Sequence, residues 1–358
     1  MSGRSKLGIA ALATGLVGAA VVGTVAAERR AVGRAVGRAR RLPDPYVDEP
    51  LGARHTRAIP VTATDGLRLH VEAEDDPGTG LTVVFVHGFT LSMECWHFQR
   101  RDLTGVGRLV FYDQRSHGAS GRSDSEHATI DQLGHDLMSV LDVVVPDGPV
   151  ILVGHSMGGM TILALADQHP ELFGDRIVGV ALLATSSGKL ADTLFGLPGW
   201  LGRGLRPVVP GVVHAANRRA ALLENGRRAG TDLEFLATRY LSYGPDAPPS
   251  LVAFMARMIA GTSVEVMTEF FDTFLSHDKL AALDVLRGIP VLICCGERDS
   301  LTPVSHSETM AEALPDAELL IIRGAGHMAI IDRHDEVNDA LRRLVDRAAQ
   351  DAPSAAAS

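Results

Sequence analysis

The sequence predicts a doubly wound, mostly parallel α/β sheet. An N-terminal antiparallel hairpin leads into it, a helical cap is inserted into it, and an N-terminal transmembrane helix precedes it. Three observations carry that prediction. Short continuous apolar runs, among them Leu81–Val86, Leu109–Tyr112, Val150–Val153, Ile177–Leu183 and Val291–Cys294, read as strands covered on both faces. Stretches at helical spacing separate these runs, and strands alternating with helices make a parallel sheet. The rhythm stops at about 185 and resumes at about 285, as it does around an insertion.

A chain of 358 residues can bury one large core, or one core plus an inserted subdomain. Charged residues make up 22% and the apolar class 46%, which is a globular composition. The net charge of −9 is unevenly spread. Residues 1–41 hold eight basic side chains and one acid, Glu28, a balance of +7 that leaves −16 for the remainder. An acidic body argues against nucleic acid as a partner. Cys95, Cys294 and Cys295 make neither a disulfide framework nor a C-x-x-C pattern, and the adjacent pair sits in an apolar run.

Leu7–Ala27 is 21 residues without a charge, about the length of a bilayer-spanning helix. Ala11, Gly15, Ala19 and Gly23 recur every fourth residue, a small-residue stripe in what reads as an Ala/Gly-rich anchor. A signal peptide is the rival reading, because Arg4 and Lys6 precede the run and Val25-Ala26-Ala27 resembles a cleavage site. Arg29, Arg30, Arg34, Arg38, Arg40 and Arg41 follow the run. Six positives after it against two before it place the following chain in the cytoplasm by the positive-inside bias. The expectation is an uncleaved anchor over 1–41 with a cytoplasmic body.

Residues 42–56, with Pro43, Pro45 and Pro50, read as a linker. The sheet domain begins at 57. Arg57–Thr64 and Leu67–Glu74 flank Asp65-Gly66, a strong hairpin signal. Leu81–Val86 ends in His87-Gly88-Phe89-Thr90, and Leu109–Tyr112 ends in Asp113-Gln114-Arg115-Ser116-His117-Gly118. Ile130, Leu133, Leu137, Leu141 and Val144 lie on one helical face, so 130–144 is an amphipathic helix. Val150–Val153 and Ile177–Leu183 are strands about a helix that stops near Pro170. The core's first part ends at 184, and 185–285 is the cap. Six of the eleven phenylalanines fall in the cap, and Met267, Phe270, Phe271 and Phe274 follow i, i+3, i+4, i+7 spacing. The core's second part, 286–348, holds strands Val291–Cys294 and Glu318–Ile322 and helices over about 305–314 and 335–348. The Ala/Ser-rich tail, 349–358, reads as disordered.

Gly154-His155-Ser156-Met157-Gly158 stands between a strand and a helix, the context of a nucleophile elbow. The turn lifts the Ser156 hydroxyl above the sheet, and the Met157 N–H points at whatever Ser156 attacks. A serine hydroxyl needs a base, and a histidine base needs an orienting carboxylate. In a doubly wound sheet these belong beyond the strands' C-terminal ends. The loop after Val291–Cys294 is Gly296-Glu297-Arg298-Asp299-Ser300-Leu301-Thr302-Pro303, and the loop after Glu318–Ile322 is Arg323-Gly324-Ala325-Gly326-His327-Met328. Ser156, Asp299 and His327 therefore occur in the order Ser, acid, His, each just past a strand.

With those pieces in order, the chain resembles the α/β-hydrolase fold family, in its capped group of esterases, lipases and non-haem haloperoxidases. The likeness spans about Arg57–Arg347. One departure is Ser116, where relatives commonly carry glycine. The resemblance implies Ser156 as nucleophile, His327 as general base and then acid, and Asp299 as its orienter. It implies an oxyanion hole from the backbone N–H groups of Phe89 and Met157. Glu297, two residues before Asp299, and Asp192, after the preceding strand, are the rival acids; His334 is the rival base. His87, His155 and His117 fit packing and loop-bonding positions.

No histidine or cysteine spacing suggests a metal, and no phosphate-binding glycine motif is present, so neither metal nor cofactor is expected. The implied activity is hydrolysis of a carboxylic ester or thioester with an apolar, lipid-like acyl group. The same triad also serves perhydrolysis, C–C bond hydrolysis and acyl transfer, and a tethered ligand-binding protein with little turnover is the rival of another class. Expected partners are a small-molecule or lipid ester and the membrane; homo-oligomer formation is left open.

Overall fold

The computed structural model describes residues 33–53, 55–75, 78–190 and 231–351. The expected anchor, Leu7–Ala27, lies outside the described residues. Among the described residues no single helix is long and apolar enough to cross a membrane.

Eight strands form one sheet: β1 (Ala58–Thr62), β2 (Arg68–Ala73), β3 (Thr82–Val86), β4 (Arg108–Asp113), β5 (Val150–His155), β6 (Ile177–Leu183), β7 (Val291–Gly296) and β8 (Glu318–Ile322), in the spatial order β1-β2-β4-β3-β5-β6-β7-β8. β1 pairs antiparallel with β2, with Ile59 opposite Val71, and β2 pairs antiparallel with β4. Every pair from β4 through β8 is parallel. The Asp65-Gly66 turn closes the hairpin. Gly66 sits at φ 86°, a conformation glycine adopts without strain, and the Asp65 carboxylate accepts from Leu67 N at 3.2 Å.

The central strands β3 to β7 are largely apolar because each faces two cores. Val83 and Phe85 of β3 join a core with Trp96, Phe98, Leu341 and Leu344. Val84 and Val86 point the other way, into a core with Leu137, Leu141, Ile162 and Met310. The first core is covered by α1 (His97–Asp102), α9 (Ala329–Asp332) and α10 (His334–Asp351). The second is covered by α2 (Ile130–Val144), α3 (Met157–Gln168) and α8 (Val304–Ala313). The Thr129 side chain caps α2 by accepting from Gln132 N at 3.1 Å, and the helix buries the expected Ile130, Leu133, Leu137, Leu141 and Val144. Such a cap contributes about 1 kcal/mol.

Between β6 and β7 the described chain is helical: α4 (Thr231–Ser242), α5 (Pro249–Gly261), α6 (Val264–Glu269) and α7 (Phe271–Ser276). The 267–274 stripe expected on one helix is shared by α6 and α7, with buried Phe270 between them. The two ends of the insertion are pinned together. Gly188 bridges Asp278, and Lys279 N donates to Ser187 O at 2.7 Å.

The stretch 42–56, expected as a linker, is docked over its described length. Residues 33–39 are helical and bury Val36 and Ala39 in the first core. The Asp44 carboxylate accepts from Ser250 N at 2.8 Å, at the start of α5. Tyr46 packs on Phe98, and Glu49 meets His97 Nε2 at 2.8 Å. The stretch runs through turns, with Glu49 N bonded to Tyr46 O and Ala53 N to Pro50 O, and its apolar and acidic side chains attach this strap to the body.

Candidate active site

Parallel pairing brings the C-terminal ends of β3, β5, β6, β7 and β8 to one edge of the sheet. The loops after β3, β5, β7 and β8 carry the expected site residues.

Ser156 links β5 to α3 at φ 53°, ψ −118°. A non-glycine residue there costs about 1–3 kcal/mol and persists only where its surroundings over-determine it. Here Ser156 N donates to Leu183 O at 2.9 Å, while Ser156 O accepts from Thr185 Oγ1 at 2.6 Å and Gly159 N at 3.0 Å. A side chain at Gly158 would run into the backbone carbonyl of Val86, so only glycine lets α3 start this close to β3. The Met157 N–H opens α3 without an intrahelical acceptor.

The loop after β3 is locked from below. His87 Nε2 accepts from Gln114 N at 2.9 Å, and its Nδ1–H donates to Gly88 O at 2.7 Å. One nitrogen accepting and one donating is a neutral ring, and burial pushes its pKa down to about 4. Gln114 Nε2 adds a bond to His87 O at 2.6 Å, and Thr161 Oγ1 donates to Gln114 Oε1 at 2.8 Å. This chain fixes Gly88 and, next to it, the Phe89 amide.

Asp299 follows β7 and is buried. Its Oδ1 accepts from Leu301 N at 2.8 Å and Thr302 N at 2.9 Å. Its Oδ2 meets Thr302 Oγ1 at 2.9 Å and His327 Nδ1 at 2.8 Å. Burial alone would push this carboxyl up. The His327 ring and these donors outweigh burial and hold it below the usual range. With Nδ1–H held by the carboxylate, the remaining ring nitrogen of His327 is Nε2, the one a general base in this position would use.

His155, beside Ser156, reaches the same loop: its Nε2 lies 3.1 Å from His327 O. Its Nδ1 is buried without a partner, and burial, with the neighbouring His327, pushes its pKa down to about 3. The elbow and the base loop are thus tied together. No hydrogen bond joins Ser156 Oγ to His327 among the described residues, and free enzymes often leave such catalytic bonds long until substrate is bound.

The rivals stand elsewhere. Glu297 accepts from Gly324 N at 2.9 Å and staples two loops on the exposed side. His334 stacks on Phe98 and meets Tyr46 Oη at 3.0 Å, on the first core. Asp192 lies outside the described residues. His117 Nδ1 bonds Arg115 O at 2.9 Å, and burial pushes its pKa down to about 3. Ser116 takes the left-handed conformation at φ 65°, and its hydroxyl accepts from Ser123 N at 2.9 Å.

Thr302 and Thr185 were not assigned roles from sequence. Thr302 stands three residues after the acid, a spacing at which a hydroxyl can return to the carboxylate, and that signal was readable. The Thr185 contact with Ser156 joins two strand ends and leaves no local trace.

Over the elbow lies an apolar cluster of Met157, Met160, Val266 and Phe270, with Phe89, Leu190 and Phe274 packed against it. The Phe89 ring meets Phe274 edge-on at 5.0 Å and Phe270 at 5.9 Å. Helices α6 and α7 of the insertion therefore cover the Ser156 end of the sheet.

A family model described as the alpha/beta hydrolase family matches residues 83–340. The chain belongs to that family. It is 26% identical over 296 residues to a non-heme haloperoxidase of Rhodococcus erythropolis, covering 80% of this chain and 98% of that one. It is 27% identical over 269 residues to the dihydrolipoyllysine-residue acetyltransferase component of an acetoin cleaving system from Pseudomonas putida, covering 72% of this chain and 62% of that one. The chain thus spans under two thirds of that component's length. Among solved structures, a thermophilic esterase from Thermogutta terrifontis superposes with a TM-score of 0.63 at 24% identity, over 82% of this chain and 99% of that one. This last likeness is one of fold.

Proposed function

We propose that this alpha/beta-hydrolase family member is a serine hydrolase that cleaves a carboxylic ester or thioester through an acyl-enzyme at Ser156. The observation that carries the reading is the buried Asp299–His327 pair, 2.8 Å apart, tied through His155 to a strained serine elbow. Strain of this kind concentrates at working sites.

Ser156 Oγ attacks the acyl carbonyl as its proton passes to His327 Nε2. The developing oxyanion accepts from the Phe89 and Met157 amides, and donors of this kind contribute roughly 10²–10³ each. The imidazolium returns its proton to the departing alcohol or thiol. Water then attacks the acyl-enzyme with His327 again as base, releasing the acid and the free hydroxyl. Asp299 stays ionised and orients the ring.

The cluster of Phe89, Phe270, Phe274, Met157 and Met160 favours an apolar acyl chain. A lipid-like ester reached from a membrane, by a body tethered on the cytoplasmic side, fits this lining and the uncharged Leu7–Ala27 run. The test is hydrolysis of p-nitrophenyl esters and acyl thioesters of rising chain length. Rates should climb with chain length and vanish in Ser156→Ala; activity that survives in Ser156→Ala removes the mechanism. Protease digestion of the body from outside intact cells would reverse the placement.

A further inference from the structure

On the opposite side of the first core, the strap, α1 and α10 converge on His334. The ring lies flat on Phe98 at 3.9 Å, and its Nε2 meets Tyr46 Oη at 3.0 Å. Its Nδ1 faces the other way, between two carboxylates: Asp335 Oδ1 at 3.1 Å and Asp102 Oδ2 at 3.6 Å. Yet that nitrogen is buried and has no hydrogen-bond partner, because neither oxygen meets it with the required geometry. His334 is 5% exposed, so the Nδ1 is cut off from bulk water. One donor atom from each of Asp102, His334 and Asp335 lies within 4.8 Å of the other two.

We propose that Asp102, His334 and Asp335 form a site for a small divalent transition-metal cation, Zn²⁺ being the best match. Imidazole nitrogen with carboxylate oxygens is a ligand set such ions take at about 2.0–2.2 Å, which spaces neighbouring ligands roughly 3–3.6 Å apart. The Nδ1-to-oxygen distances fall in that span. The exposed carboxylate of Asp335 leaves the remaining positions to water.

Tyr46 supplies the outer support. With Nε2–H donating to the phenol oxygen, the Nδ1 lone pair is left for the metal, the arrangement by which ligating histidines are oriented. Arg101 grips Asp102 at 2.6 and 2.9 Å, and Asn338 Nδ2 stands 3.3 Å from Asp102 Oδ2. A carboxylate has about four lone-pair positions, so the longer Asn338 contact is the one that yields. The N-terminus of α10 opposes a cation with roughly half a positive charge and Arg101 with a full one, and the two carboxylates exceed these together by about half a charge. The bound ion would join the end of α1 to the start of α10 and, through Tyr46, to the strap.

The test is equilibrium dialysis of metal-free, full-length protein against Zn²⁺, followed by Co²⁺ substitution and its visible spectrum. Wild type should take up one equivalent saturably, with a Co²⁺ spectrum typical of nitrogen and oxygen ligands and a raised Tm. Asp335→Asn, which changes an exposed side chain, should keep the fold by circular dichroism and weaken binding at least tenfold. Tyr46→Phe should weaken it about tenfold. Absence of stoichiometric uptake by wild type, or unaltered uptake by Asp335→Asn, overturns the proposal. Uptake of Ca²⁺ in preference to Zn²⁺ also overturns it, because Ca²⁺ takes oxygen ligands rather than imidazole nitrogen. His334→Gln should abolish uptake; if it fails to fold, the Asp335→Asn result decides alone.

Discussion

His155 Nε2 lies 3.1 Å from the backbone carbonyl oxygen of His327. The residue beside the nucleophile thereby holds the residue proposed as base, across 172 positions of sequence. A neutral His155 does this with one N–H and leaves its other nitrogen bare. Replacing the ring by Phe keeps a flat aromatic group, somewhat larger than the imidazole, and removes the donor. His155→Phe is therefore expected to cost about 1–3 kcal/mol in urea unfolding, because His327 O stays buried and loses its partner. The kcat should fall more than KM changes, since the base loop loses its position and the apolar cluster of Phe89, Phe270 and Phe274 does not.

Thr302 is expected to act through Asp299. Its hydroxyl reaches Asp299 Oδ2 at 2.9 Å and stands 3.4 Å from His327 Nδ1. Thr302→Val removes a charge-assisted donor worth about 1.5–3 kcal/mol. If roughly half of that is felt at the transition state, kcat/KM drops about three- to tenfold. Thr302→Ser keeps the hydroxyl and should recover most of the loss. Recovery absent in Ser would make the residue a packing element only.

Phe89 should contribute its amide to the chemistry and its ring to the pocket. The ring contacts with Phe270 and Phe274 are worth about 0.5–1.5 kcal/mol each. Phe89→Ala should leave kcat on a short ester little changed and raise KM for long-chain esters up to about tenfold. Steady-state kinetics across chain lengths checks this. An equal loss on short and long substrates would place the ring elsewhere in the mechanism.

Stability should depend steeply on pH on the acid side. Burial lowers the folded-state pKa of His87 to about 4, of His117 to about 3 and of His155 to about 3, from an ordinary 6.5. Below pH 6.5 the unfolded chain takes up protons that the folded rings refuse, so these groups lose stability as pH falls. Asp332 has the opposite sign. Burial raises its carboxyl to about 7 despite Arg333 Nη1 at 3.6 Å, and neither oxygen has a hydrogen-bond partner. The folded form therefore keeps a proton that the unfolded form releases above about pH 4. Three protons against one leave a net two, or about 3 kcal/mol per pH unit between roughly pH 6 and 4. Denaturant melts across that range should show stability rising with pH. Asp332→Asn should steepen the slope and stabilise the protein at pH 7; a flat profile would contradict the assignment of neutral buried rings.

Much of the sheet could be read from residues alone, for a physical reason. Val83 to Val86 all face packed cores, so a strand such as β3 appears as an unbroken apolar run. Local chemistry likewise marked the Asp65-Gly66 turn and the elbow at Ser156. What could not be read depends on distant partners. Tyr46 finds His334 across 288 positions, so Pro43, Pro45 and Pro50 mark a linker but carry no sign of where it docks. The Met267–Phe274 stripe looked like one helix, and the change of helix at Phe270 follows from packing over the elbow that helical spacing does not encode. For the site, order and loop position brought out Ser156, Asp299 and His327. The supporting Thr185 and His155 contacts arise only once strand ends meet.

The central claim is that Ser156 is a nucleophile activated by His327, and the rate of fluorophosphonate labelling of the folded full-length protein tests it most directly. Intact-mass and peptide analysis should find one adduct, on Ser156, absent in Ser156→Ala and slower by about 10³-fold or more in His327→Ala. Failure of the folded protein to label at Ser156, or labelling at an unchanged rate without His327, would contradict the account.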